Sequence, residues 1–176
     1  MKLENNIMFL SETLNSIKKL FTPDNTDDAE FKVVDSILSI EESLKSQLES
    51  LRIIFEYKID KDIEIFGNQN LFLHVLSNII QNSIDQFTSS IVHKRITLTC
   101  LQSKNLITLK IQDNAGGINM ENINDIFNPF TTTKPLGTGV GLSLSKNIIE
   151  SKLKGSIKVE NKNDGALFII IFKATN

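Results

Sequence analysis

Residues 113–142 constrain the fold of this chain more than any other stretch. They read D-N-A-G-G-I, a short acidic segment, I-F-N-P-F-T-T-T-K, and then G-T-G-V-G-L. Two glycine clusters therefore bracket one loop. The first opens with Asp113, just after an apolar alternation at Leu109 and Ile111. The second runs into an amphipathic helical pattern at Leu142, Leu144, Ile148 and Ile149. Glycine lets backbone N–H groups approach a ligand, and a helix start offers unpaired donors beside the positive end of its dipole. A phosphate chain is the guest such a loop suits. The second cluster lacks the lysine-serine ending of a P-loop, and the glycine spacing does not fit a Rossmann fingerprint. Another nucleotide-binding fold is implied.

At 176 residues the chain can bury one well-packed core with a short appendage. A formal net charge of −2 gives no general attraction for nucleic acid or an anionic membrane, so phosphate binding has to be local. The one cysteine, Cys100, has no histidine or other base beside it in sequence. That excludes a disulfide framework and a cysteine-based zinc site, and describes core filler rather than a nucleophile. No apolar run approaches the length of a membrane span, and the N-terminus has no signal-peptide pattern. A cytoplasmic location is expected, with no membrane contact in this portion.

Taken in order, residues 3–21 place Leu3, Ile7, Leu10, Leu14, Ile17 and Phe21 along one helical seam. A lone helix cannot bury such a seam stably, so it packs either on the chain's own core or in a helical bundle or dimer. Turn and charge residues over 23–29 predict a linker. A short strand is expected over 30–34, then a helix capped by Asp35 or Ser36 with Ile37, Leu38, Ile40, Leu44, Leu48 and Leu51 facing inward. Strands follow over 52–59 and 63–66, a helix over 71–87, and a hairpin from 94–100 and 106–111. A helix from Gly139 to about Leu153 and a closing hairpin, 156–160 with 166–172, complete the chain. The fold class expected is an α/β (α+β) two-layer sandwich. Its mixed β-sheet is covered on one face by about three helices and preceded by an extended N-terminal helix.

The helix over 71–87 has an apolar side of Phe72, Leu76, Ile79, Ile80, Ile84 and Phe87. Its other side carries His74, Asn78, Gln81, Asn82 and Asp85 in one stripe. Amides and a carboxylate are oxygen donors suited to a hard cation such as magnesium, although such a stripe is also what an ordinary polar face looks like.

These residues resemble a known family. L-S-N-I-I-Q-N-S, D-N-A-G-G-I, I-F-N-P-F-T-T-T-K and G-T-G-V-G-L-S-L follow the order of the N box, first glycine box, F box and second glycine box. That order resembles the catalytic ATP-binding domain of sensor histidine kinases, in the superfamily of gyrase, heat-shock chaperone and mismatch-repair ATPases. The resemblance covers about residue 30 to the end. It divides the chain into 1–22, similar to the second helix of a dimerisation and phosphotransfer domain, a linker at 23–29, and a catalytic domain at 30–176.

The resemblance implies roles for individual residues. Asp113 would accept from the adenine amino group, and Gly117 and Ile118 would lie beside the base. Asn82 would ligate magnesium, with Asn78 and Asp85 near the phosphates. Gly137, Thr138, Gly139, Val140, Gly141 and Leu142 would wrap the phosphate chain. Residues 119–137 would form a lid, with Phe127 and Phe130 either anchoring it or simply packing in the core. Lys134 would reach the terminal phosphate. Asn78 stands where gyrase-like ATPases carry a glutamate base, and an amide cannot act as a general base. ATP is therefore expected to be held for transfer, with positioning and charge neutralisation by magnesium, Lys134 and backbone donors supplying the catalysis.

The sequence departs from the family pattern at three places. Ala115 replaces a glycine, Asp85 stands where many relatives carry a phosphate-contacting lysine, and neither His74 nor His93 matches the phosphoacceptor motif. The chain is thus expected to be the C-terminal portion of a larger sensor kinase whose acceptor histidine lies elsewhere. Its expected cofactors are ATP and Mg2+, and its expected partners a response regulator receiver domain, its own acceptor domain and a second copy through the N-terminal helix. Alternatives are an anti-sigma-factor-type serine kinase and a degenerate nucleotide-binding interaction module.

Overall fold

A period-two pattern of apolar residues builds the central sheet. The structure is a computed structural model and describes residues 28–134 and 137–174. Strands β4 (Arg95–Ser103) and β5 (Leu106–Asp113) alternate buried Ile96, Leu98 and Cys100, and Ile107, Leu109 and Ile111, with partly exposed Thr97, Thr99, Thr108 and Lys110. Strand β7 (Gly165–Lys173) turns Ala166, Phe168, Ile170 and Phe172 the same way, and β6 (Ser156–Lys162) adds Ile157 and Val159. One face is thus sealed; the other is largely polar on β4 and β5 but carries Leu167, Ile169 and Ile171 on β7. The edge strand β2 (Ile54–Ile59) pairs parallel with β4, and every other pairing in the order β2-β4-β5-β7-β6 is antiparallel. The sheet is mixed, as expected.

Three helices cover the sealed face: α1 (Val33–Ser50), α2 (Gln69–Gln86) and α3 (Gly141–Asn147). Their apolar stripes and the inward strand residues share one core. Phe72 at its centre lies 5.5 Å from Phe31 and 6.0 Å from Phe172, ring centroid to ring centroid.

Several expectations are corrected. The first strand, β1 (Asp28–Lys32), starts inside the expected linker and pairs with β3 (Glu64–Asn68) in a separate two-stranded ribbon. Helix α1 begins at Val33 without a side-chain cap from Asp35 or Ser36. The Val33 N–H instead donates to the Ile63 carbonyl at 3.0 Å, so a neighbouring loop satisfies an end that a cap would otherwise serve. Ser36 is buried and accepts from Gln69 Nε2. Leu38 faces outward, 44% exposed, because it lies about 100° around the helix from Ile37. Leu51 is the C-cap of α1, already leaving the core face. The chain then turns through Arg52 at φ 54, so β2 starts only at Ile54.

The last helix starts at Gly141, two residues later than expected. Gly139 adopts φ +65, a left-handed conformation no right-handed helix contains, and a Cβ there would strike the Phe130 backbone. A π-helical turn, Ile148–Lys152, continues α3. The expected seam over 3–21 and most of the 23–29 linker lie outside the described residues.

Candidate nucleotide site

The site begins with a carboxylate in a core position. The alternation that buries Ile107, Leu109 and Ile111 places Asp113, the last residue of β5, inward and only 6% exposed. A buried carboxylate needs donors, and three elements supply them. Oδ1 accepts from the Ala115 N–H at 2.9 Å, as in an Asx turn, and from the Ala166 N–H of β7 at 3.1 Å. Oδ2 accepts from the Ser83 hydroxyl of α2 at 2.7 Å. Oδ1 is saturated, while Oδ2 keeps acceptor capacity toward the cavity that Asp113 lines.

That cavity measures about 850 Å³, within the range of small-molecule and cofactor sites. Ile118, Met120, Ile126, Leu142, Ala166 and Phe168 form an apolar wall suited to a flat ring, while Asn78, Asn82, Asp85 and Lys134 supply a polar side. All the expected site residues line it except Val140, which is the N-cap of α3 and turns its carbonyl to the Leu144 N–H and the Ser143 hydroxyl. The motif residues, scattered over 78–142 in sequence, meet at one place.

The polar side is organised by two hydrogen-bond chains. Asn78 Nδ2 donates to Ser145 Oγ at 2.8 Å, and that hydroxyl donates to the Gly141 carbonyl at 3.0 Å. A Cβ on Gly141 would collide with Asn78 Oδ1, so glycine is what lets the first turn of α3 close against α2. Asn78 thus joins two helices. One turn further along α2, Asn82 Oδ1 and Asp85 Oδ2 each accept from Lys134 Nζ at 2.7 Å. An amide oxygen and a carboxylate oxygen converging on an ammonium form a donor set that fits a hard divalent cation. Among the described residues no cluster of three or more histidine, cysteine or acidic side chains offers a rival metal site.

The loop between the glycine clusters is fixed at its middle. A short 3-10 turn, Ile123–Phe127, buries Phe127 edge-on to Phe168 at 6.4 Å, with Lys146 Nζ 5.4 Å above its ring. Phe130, expected as a second anchor, is 79% exposed and holds φ 67, so only its backbone is engaged, its N–H donating to the Gly139 carbonyl at 2.9 Å. Ala115 is accommodated without strain: positive φ falls on Gly116 and Gly117, not on Ala115. His74 and His93 are exposed, and neither lines the cavity.

Three supporting residues escaped the sequence reading. Ser83 and Ser145 are hydroxyls within apolar helical stripes, and a serine in such a stripe signals a buried polar contact. Asn161 on β6 clasps Ile118, accepting from its N–H at 2.8 Å and donating to its carbonyl at 2.9 Å. Nothing local distinguished that asparagine from an exposed strand residue.

Residues 67–176 match the family described as histidine kinase-, DNA gyrase B- and HSP90-like ATPase. A signal transduction histidine-protein kinase of Escherichia coli, AtoS, is 33% identical over 123 residues, covering 68% of this chain and 20% of that protein. The catalytic domain of histidine kinase ThkA superposes with a TM-score of 0.76 at 27% identity, covering 85% of this chain and 99% of that domain. A structure of ThkA in complex with the response regulator TrrA superposes at 0.75 with 23% identity, covering 96% of this chain and 49% of that one. The chain spans only about a fifth of the length of the curated relatives it matches.

Proposed function

Because this chain belongs to the family of histidine kinase-, DNA gyrase B- and HSP90-like ATPases, we propose that its cavity holds magnesium-ATP for phosphoryl transfer to a histidine. It is an ATP-binding catalytic domain of the two-component sensor histidine kinase type, on a fold shared with known catalytic domains. The observation that carries the proposal is Asp113, a buried carboxylate locked by three donors yet open to an apolar-walled cavity. Such a group accepts from an adenine amino group, and guanine would present a carbonyl in its place. Ile118, Met120, Leu142 and Phe168 cover the base.

Asn82 holds the metal from α2, and Lys134 and the backbone of 137–141 face the phosphates. Magnesium, when bound, neutralises phosphate charge. The chain's own contribution is positional: it presents the terminal phosphate to the acceptor. Asn78 has its amide committed to Ser145 and carries no basic atom, which favours retention of ATP over hydrolysis.

The acceptor histidine belongs to another segment, with residues 1–22 as part of a dimerisation domain, 23–29 as a linker, and a receiver domain as the onward partner. Among the described residues no helix is long and apolar enough to cross a membrane. The reading places the domain in the cytoplasm, where ATP is found. Two measurements test it: calorimetric titration with ADP, and incubation of the chain with γ-labelled ATP and an added acceptor domain. Acid-labile, base-stable label on the acceptor is the expected result. Label on serine would move the reading to a serine kinase, and binding without transfer to an interaction module.

A further inference from the structure

The Lys134 ammonium, donating at 2.7 Å to both Asn82 Oδ1 and Asp85 Oδ2, marks a point on α2 where the chain has already assembled a cation seat. Asn82 and Asp85 stand one helical turn apart on the cavity side. The second oxygen of Asp85 accepts from Gln81 Nε2 at 2.7 Å, so the carboxylate is oriented before any ligand arrives. Both converging atoms are hard oxygens, one neutral and one charged. Magnesium takes such a set when phosphate oxygens and water complete its octahedron, usually with one or two protein ligands.

We propose that Asp85 is a second protein ligand of the nucleotide's magnesium beside Asn82, and that Lys134 neutralises this seat until the metal enters. The inference rests on the nucleotide reading given above. Two cations cannot share one seat at contact distance, so arrival of the metal breaks both bonds to Lys134. The freed ammonium lines the same cavity, where it becomes available to a phosphate oxygen. Without metal, the Asp85 carboxylate faces incoming phosphates with like charge and retains Lys134 for itself. Magnesium therefore acts twice: it converts a repulsive carboxylate into a ligand, and it releases a lysine.

Calorimetric titration with ADP, in magnesium and in EDTA, on wild type, Asp85→Asn and Lys134→Met provides the test. Asp85 is exposed, so Asp85→Asn should fold normally, and its melting curve checks this. The gain in affinity conferred by magnesium should fall about tenfold or more in Asp85→Asn, a loss of the size seen when support of a metal is removed. In EDTA the same variant should bind as well as wild type or better. In Lys134→Met binding in EDTA should weaken, because nothing then neutralises the Asp85 carboxylate that faces the phosphates. Tighter binding of Asp85→Asn in both conditions would make Asp85 only a counter-ion of the lysine and overturn the proposal, as would affinities unchanged in both. A wild type that binds no ADP removes the nucleotide reading and this inference with it. A wild type whose binding depends on magnesium, beside an indifferent Asp85→Asn, removes the inference alone.

Discussion

Replacing Asp113 with asparagine separates what the residue does for the fold from what it does for the base. Its Oδ1 accepts from two backbone N–H groups, of Ala115 at 2.9 Å and Ala166 at 3.1 Å, that cannot reverse. An asparagine carbonyl must face them, which puts the amide nitrogen where Oδ2 now meets Ser83 at 2.7 Å. The serine hydroxyl can accept instead and turn its proton to the Ile79 carbonyl, 3.4 Å away. Three charge-assisted bonds become neutral ones, partly offset by the lower cost of burying an amide, so the fold loses about 1 kcal/mol. The nucleotide loses more. An amide donor now opposes the adenine amino donor, so a bond to a charged acceptor worth about 1.5–3 kcal/mol disappears and an unmatched buried donor costs about 1–3 more. The sum is about 2.5–6 kcal/mol, or roughly seventyfold to twenty-thousand-fold in Kd. Titration with ADP, paired with urea unfolding, reads both quantities. An ADP affinity within threefold of wild type in a folded Asp113→Asn would refute the assignment of Asp113 to the base. Ser83→Ala provides the control: it removes one donor, keeps the carboxylate, and should cost about 1 kcal/mol in stability and less than tenfold in affinity.

Gly139→Ala forces a Cβ into the Phe130 backbone at φ +65. It should weaken ADP binding by about 1–3 kcal/mol of backbone strain, read by calorimetry, with little change in melting temperature because the exposed loop yields first. Phe127→Ala opens a hole beneath Phe168 and should cost about 3 kcal/mol in urea unfolding, whereas Phe130→Ala, at a 79% exposed ring, should cost under 0.5. Burial pushes the Cys100 thiol from 9.0 up to about 12. A folded pKa above the unfolded one contributes stability that is complete below pH 9 and is lost as pH rises toward 12. Unfolding midpoints should therefore fall over that window in wild type more than in Cys100→Ala, and native alkylation at neutral pH should track unfolding.

Patterns with one dominant cause were legible in the sequence. Period-two burial gave β4, β5, β6 and β7 within a few residues, and the apolar stripe of α2 matched, because in both a single buried face decides the geometry. The site was legible as motifs: Asn82, Asp113, Lys134 and the glycines do meet in one cavity. What failed depended on partners distant in sequence. The start of α1 is set by the Ile63 carbonyl, the detached β1-β3 ribbon by a pairing across the whole of α1, and the exposure of Phe130 by the left-handed turn against Gly139. Ser83 and Asn161 serve the site through contacts 30 and 43 residues away, and no local pattern announces such bonds.

Those separations have a thermodynamic consequence. The contacts that shape the cavity close loops of 67 residues between Asn78 and Ser145, 53 between Asp113 and Ala166, and 52 between Asn82 and Lys134. Hairpins β4-β5 and β6-β7 can form locally, but each of these three links requires elements distant in sequence to have docked on one another. The cavity is therefore absent from partly folded forms, and a nucleotide bound there discriminates fully against them. At a ligand concentration a hundred times Kd, that selectivity raises the unfolding free energy by about 2.7 kcal/mol. Occupancy of this site and completeness of the fold become a single linked equilibrium, so a shift of the thermal midpoint on adding ADP reports both.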